Sequence, residues 1–131
     1  NLLDWLKKVY IPLDRLLGEI LNQFTKEVKE LSADPYDDEL MEKFCSFIEK
    51  SKSKINRANQ IYRSYKNPTN ANIFGLNLYH CFSQVEDAIN EIERYTMGYV
   101  DNYLHDGIEM LREAKKKRSE LKKDRKNLTL K

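Results

Sequence analysis

The stretch ELSADPYDDELMEKF, residues 30–44, carries the clearest helix boundary in the chain. Asp34 can cap a helix, and Pro35 fits the first position of a helix, where its missing N–H costs no hydrogen bond. The acids Asp37, Asp38 and Glu39 follow, and they favour the positive end of a helix dipole. The stretch therefore predicts one helix that ends near residue 31 and another that begins near residue 35.

Apolar residues upstream of this boundary recur in steps of three and four, which is the period of one helix face. They are Leu2, Leu6, Val9, Leu13, Leu16, Ile20, Phe24, Val28 and Leu31. Pro12 interrupts the pattern, and because proline lacks an N–H and clashes with the preceding turn, we expect a kink or a restart there.

The same period continues downstream as far as Asn67, which precedes Pro68 and so disfavours helix. The polar segment NPTNANIFG, residues 67–75, is the longest loop candidate. A third apolar pattern follows, and the turn pair Asp106-Gly107 predicts a break near residues 104–107. Without a break, a helix over residues 72–126 would be about 80 Å long. The patterns together predict an all-α antiparallel bundle of about four amphipathic helices, near residues 1–31, 35–66, 72–104 and 106–126.

Length and composition favour a single helical domain over residues 1–131, since 40% of the residues are hydrophobic and 34% are charged. No apolar run reaches the roughly 20 residues that a membrane span needs, so we expect no membrane insertion. The chain shows no signal peptide and starts at Asn1, so we expect a trimmed fragment or a mature form that has lost its leader. The net charge of +2 makes nucleic acid a poor candidate partner, and we expect a monomer.

Candidates for catalysis or metal binding are few. His80 and His105 lie far apart in the chain, and neither has a second His or Cys at the spacing of a zinc site. The acids Glu86, Asp87, Glu91 and Glu93 lack the Glu-x-x-His partner of a di-iron bundle, so a solvated helix face explains them better. We therefore predict that the chain is not an enzyme and needs no cofactor.

Cys45 and Cys81 lie in similar amphipathic patterns, and each is expected to point inward. Buried free cysteines act as small hydrophobes and need no function. A simple helical hairpin would place Cys81 opposite residue 57 or so, but a linker that ran back along the second helix would let the two cysteines meet. Two inward cysteines and the sequon Asn127-Leu128-Thr129 fit a secreted chain, and on balance we expect an intramolecular disulfide.

The remaining candidates for function are the basic C-terminal end and a set of tyrosines. Residues 111–131 hold ten basic and three acidic side chains, whereas residues 68–110 hold one basic and seven acidic ones. The basic end suits either a solvated helix terminus or an acidic partner, and the tyrosines suit either the edge of the core or a protein interface. The predicted partner-binding residues are Lys115, Lys116, Lys117, Arg118, Lys122, Lys123, Tyr99 and Tyr103.

The segments DPYDDELMEKFCSFIEKSKSKINRANQIYRSYKN, residues 34–67, and YHCFSQVEDAINEIE, residues 79–93, resemble the small all-helical salivary proteins of anopheline mosquitoes, the albicin and anophensin type. The resemblance implies a secreted, non-enzymatic inhibitor that occupies the surface of a larger host plasma protease complex. It implies the complement alternative-pathway convertase first and the contact (kallikrein-kinin) system second. The alternative is an intracellular, cytoplasmic helical adaptor or complex subunit whose basic tail binds an acidic protein or nucleic acid.

Overall fold

The computed structural model describes residues 1–128, and over these residues the chain is a helical bundle without a strand. Four long helical segments lie antiparallel, as the sequence predicts. In chain order the elements are α1 (Leu2–Trp5), a π-helical turn (Leu6–Tyr10), α2 (Ile11–Ala33), α3 (Asp38–Arg63), a 3₁₀ turn (Thr69–Ala71), α4 (Asn72–Gly98) and α5 (Asp101–Lys126). None of the described helices has a stretch both apolar and long enough to span a bilayer.

The first helical segment, residues 2–33, passes Pro12 without a break in the chain of helical turns. The Asn1 side chain caps its start by accepting a 2.9 Å hydrogen bond from the Asp4 amide. Before the proline the helix widens into the π-helical turn, in which the Ile11 amide bonds to the Leu6 carbonyl five residues back. Proline cannot donate to the preceding turn, and a π-bulge absorbs that loss locally. All nine residues of the predicted apolar stripe are buried.

The turn between α2 and α3 lies where the sequence predicts it, but Asp37 rather than Asp34 caps α3. The Asp37 carboxylate accepts hydrogen bonds from the amides of Glu39 (2.9 Å) and Leu40 (3.1 Å). Pro35 lies in the turn itself and not at the first position of the helix, so α3 begins three residues later than predicted.

The predicted break at residues 104–107 is wrong, because the chain turns at Tyr99 and Val100. Tyr99 adopts a left-handed conformation with φ of 56° and ends α4. Gly107 lies inside α5 and faces α4. A Cβ atom there would be 2.4 Å from Ile92 Cγ1 and 3.2 Å from the Ala88 carbonyl oxygen. Gly107 therefore permits a close approach of two helices, a role that its local sequence does not distinguish from a turn.

The predicted disulfide is also wrong, because both cysteines are free: Cys45 is exposed and Cys81 is buried. Tyr62 of α3 packs on Phe82 of α4 with ring centroids 5.6 Å apart, which fixes the register of these two helices. Cys45 lies 17 residues before Tyr62, or about 26 Å along α3. The linker does not run back along α3, so the two sulfurs lie far beyond bonding distance. The predicted inward orientation of Cys45 fails as well.

Candidate binding surface

The charged residues of α5 are unevenly distributed around the helix. Its inner side is apolar and buried: Leu104, Gly107, Leu111, Ala114 and Leu121. The side toward α2 carries Arg112, Lys115 and Lys122, spaced in helical turns around the neutral Ser119. The outer and α4-facing surface carries charges of both signs: Glu109, Glu113, Lys116, Lys117, Glu120, Lys123 and Asp124. The side of α5 toward α2 therefore carries bases only, whereas the outer and α4-facing surface carries both signs.

An apolar cavity of about 300 Å³ opens between α2 and α5. Its walls are the side chains of Phe24, Thr25, Val28 and Lys29 from α2, and of Ile108, Leu111, Arg112 and Lys115 from α5. Phe24, Val28 and Leu111 belong to the buried core, whereas Ile108 is only partly buried. The cavity therefore has an apolar floor and charged side chains of one sign at its rim.

A second cavity, of about 280 Å³, continues along the same seam and shares Lys115 with the first. Its other lining residues are Leu21, Asn22, Arg118, Ser119 and Lys122. We call the two cavities together the α2–α5 groove. Five bases and no acid line it, so its rim is uniformly positive.

Two polar contacts hold α5 to α2 along this seam. The Arg118 guanidinium donates to the Asp14 carboxylate over 2.8 Å, and both side chains are mostly buried. Gly18 makes room for it, because a Cβ atom there would be 2.6 Å from Arg118 Nη2. Further toward the C-terminal end of α2, the Lys115 ammonium donates to the Thr25 hydroxyl. The sequence analysis did not identify Asp14 and Gly18 as partners of the basic end. The only signal for them was that they lie four residues apart, on one face of the same helix.

The structure separates the predicted partner-binding lysines and arginine. Lys115 and Lys122 line the groove, and Arg118 is paired with Asp14. Lys117 lies on the opposite side of α5, in a cavity that His80 and Asp124 also line. The last two, Lys116 and Lys123, are exposed on the outer surface.

The two predicted tyrosines lie at the other end of α5. Tyr99 packs on Tyr36, with ring centroids 5.2 Å apart, and on Tyr95. Tyr103 is partly buried and lies under the Arg94 guanidinium, 5.9 Å from it. About 30 Å of helix separates Tyr103 from Lys123, so the tyrosines and the basic residues form two surfaces and not one.

An exposed apolar end surface surrounds Tyr99, and sequence reasoning missed most of it. The side chains of Tyr36 and Met97 are 75% and 77% exposed, and Val100 is 49% exposed. Tyr36 lies in the turn between α2 and α3, Met97 in the last turn of α4, and Val100 in the turn between α4 and α5. Because Tyr36 is distant in sequence from Met97 and Val100, the sequence alone does not indicate that they form one surface.

Reactive chemistry is sparse among residues 1–128. They contain no group of three His, Cys, Asp or Glu side chains that could hold a metal ion. Burial raises the pKa of the Cys81 thiol to about 11, and its Sγ lies 3.5 Å from the Ala114 carbonyl oxygen. A buried thiol with so high a pKa is a poor nucleophile at neutral pH.

Comparison with protein families identifies the chain. The family described as the cyanobacterial DnaJ chaperone, C-terminal domain, matches residues 1–129. Searches among curated proteins and among solved structures found no significant match.

This match overturns the resemblance to anopheline salivary proteins and, with it, a secreted inhibitor of the complement convertase, the contact system or any other plasma protease complex. The resemblance rested on helical periodicity, size and few cysteines, which many amphipathic bundles share. The sequon that supported secretion includes Thr129, which lies outside the described residues. The chain belongs to the family of cyanobacterial DnaJ chaperone C-terminal domains.

Proposed function

We propose that this domain is an intracellular, non-enzymatic protein-binding module of a DnaJ-type chaperone, and that it docks an acidic partner protein along the α2–α5 groove. Membership of a chaperone family supports a protein partner inside the cell. The prediction that the chain catalyses no reaction and needs no cofactor remains part of this proposal.

The observation that carries the proposal is the one-sided charge of the groove. Lys29, Lys115 and Lys122 reach its rim, and no acid lines it. Of its five bases, Arg118 is neutralised by Asp14, and Arg112 pairs with Glu109 over 2.7 Å. The other three have no carboxylate within salt-bridge distance among the described residues. Concentrated charge of one sign steers an oppositely charged partner and raises its association rate.

A binding measurement with defined probes tests this proposal. We would measure fluorescence anisotropy with a labelled glutamate-rich peptide and, separately, with a labelled DNA duplex, each at low and at high salt. The double variant Lys115→Glu/Lys122→Glu should weaken peptide binding by about tenfold, because two attractive contacts become repulsive. The matched control Lys7→Glu/Lys50→Glu makes the same change in net charge on exposed residues that do not line the groove.

Three outcomes are informative. Loss of peptide binding in the groove variant alone supports the proposal. Equal loss in both variants would mean that net charge and not the groove attracts the peptide. Tighter binding of the duplex than of the peptide would replace the protein partner with nucleic acid.

A further inference from the structure

The groove combines a basic rim with an apolar floor, and binding through charge alone would not need the apolar floor. Ile108 remains only partly buried there. At about 30 Å³ for each water molecule, 300 Å³ would hold about ten waters, or one to two large apolar side chains. A partner that filled this space with apolar groups would release water that an extended acidic chain leaves in place.

The length and the walls of the groove indicate the shape of its occupant. On α5 the lining runs from Ile108 to Lys122, about 21 Å at the rise of an α-helix, which matches a helix of about 14 residues. Both walls are helices, and a third helix packs into the groove between two others through side-chain ridges. Such a helix carries its apolar residues on one face and its charged residues on the opposite face.

We infer that the α2–α5 groove binds an acidic amphipathic helix of a partner protein. The apolar side chains of this helix, spaced three and four residues apart, enter the cavity over Val28, Ile108 and Leu111. Its flanking carboxylates meet Lys29, Lys115 and Lys122. The inference rests on the proposed function, and it adds the conformation and the apolar anchors of the partner.

The test compares two labelled peptides of identical composition. One has leucines at helical spacing and glutamates on the opposite face, and the other has the same residues in scrambled order. We expect the helical peptide to bind at least about tenfold more tightly, since only it presents anchors and carboxylates together.

A cavity-filling variant locates the binding site. Thr25 is exposed at the cavity rim, so Thr25→Phe places a ring in the cavity, and it also removes the hydroxyl that accepts the hydrogen bond from Lys115. It should reduce the affinity for the helical peptide by about tenfold and leave the scrambled peptide unaffected. Ser53→Phe, on an exposed position of α3, is the matched control and should change neither.

The outcomes separate this inference from the proposed function. If both peptides bind equally and depend on Lys115 and Lys122, the acidic partner stands and the helix is refuted. If neither peptide binds, both proposals fail. If Thr25→Phe does not fold, NMR of the unmodified chain provides the test. Changes in the methyl chemical shifts of Val28, Ile108 and Leu111 on adding the helical peptide would support the site, and unchanged shifts would overturn it. If laurate binds more tightly than the helical peptide, and Thr25→Phe weakens that binding, the ligand of the groove is an anionic amphiphile and not a helix.

Discussion

The helix α5 meets α4 on one side and α2 on the other, and the two seams differ in almost every respect. Against α4 it packs so closely that Gly107 leaves no space for a Cβ atom beside Ile92. The Cys81 thiol and the Ala114 backbone touch in the same seam. Against α2 it leaves two cavities and holds contact through one mostly buried ion pair and one lysine hydrogen bond.

Side-chain size explains this difference. Small residues, Gly107, Ala114 and Ala88, line the α4–α5 seam and let the two helices approach. Lysines and arginines line the α2–α5 seam, and their charged ends must remain hydrated or paired, so the seam stays partly open. One seam stabilises the bundle, and the other contains the groove to which we propose that a partner binds.

The largest expected effect comes from closing the space that the tight seam requires. Gly107→Val should lower the free energy of unfolding by about 3 kcal/mol, because the new side chain overlaps Ile92 and the Ala88 carbonyl. Urea titration followed by circular dichroism measures the change. Gly98→Ala is the matched control, since a Cβ atom there meets nothing within 4 Å. It should be neutral or stabilising by up to about 1 kcal/mol. Equal effects of the two substitutions would show that the seam is not tightly packed.

Removing the ion pair of the open seam should have a smaller effect. Arg118→Ala should cost about 1 to 2 kcal/mol, because it leaves the mostly buried Asp14 carboxylate without its partner. Arg112→Ala removes the exposed pair with Glu109 and should cost no more than about 0.5 kcal/mol. Thermal or urea unfolding at two salt concentrations compares them. An Arg118 effect as small as that of Arg112 would mean that the ion pair does not hold the seam.

The turn that sets α5 against α4 contains the strained Tyr99. At this left-handed position glycine avoids the clash of a Cβ atom, so Tyr99→Gly should be more stable than Tyr99→Ala by about 1 kcal/mol. Both substitutions remove the ring contacts with Tyr36 and Tyr95, which makes the difference between them a measure of backbone strain. An alanine variant as stable as the glycine variant would contradict the left-handed conformation.

Thiol reactivity tests the tight seam without changing its stability. At pH 8 a thiol with a pKa of about 11 is ionised to about one part in a thousand, and Cys81 is buried as well. We expect a disulfide reagent to modify one thiol, the exposed Cys45, quickly in the folded protein. Both thiols should react in denaturant without reductant. If the one remaining thiol of Cys45→Ser reacts rapidly in the folded protein, the α4–α5 seam opens. If the unmodified protein shows no free thiol in denaturant, the two cysteines form the disulfide after all.

The helical periods sufficed to predict four long helices, because an amphipathic helix buries its apolar face whatever the partner helix is. The apolar stripe of residues 2–31 and the boundary before α3 lie close to their predicted positions. The excess of bases on α5 was also visible in the chain, since charge needs no tertiary contact to be counted. The division of α5 into a side with bases only and a side of mixed charge was implicit in the helical period, but which side faces α2 was not.

Packing decided what local patterns left open. Asp106-Gly107 reads as a turn pair, yet in the folded chain Gly107 is the contact that draws α5 against α4, and the turn falls at Tyr99 instead. The register of α3 and α4 keeps Cys45 and Cys81 apart, and the pairing of Arg118 with Asp14 joins residues 104 positions apart. Local sequence fixes hydrogen bonding and amphipathicity within a few turns. Contacts between distant turns depend on how closely whole helices approach, and the α2–α5 groove exists because small residues tighten one seam of α5 and charged residues keep the other open.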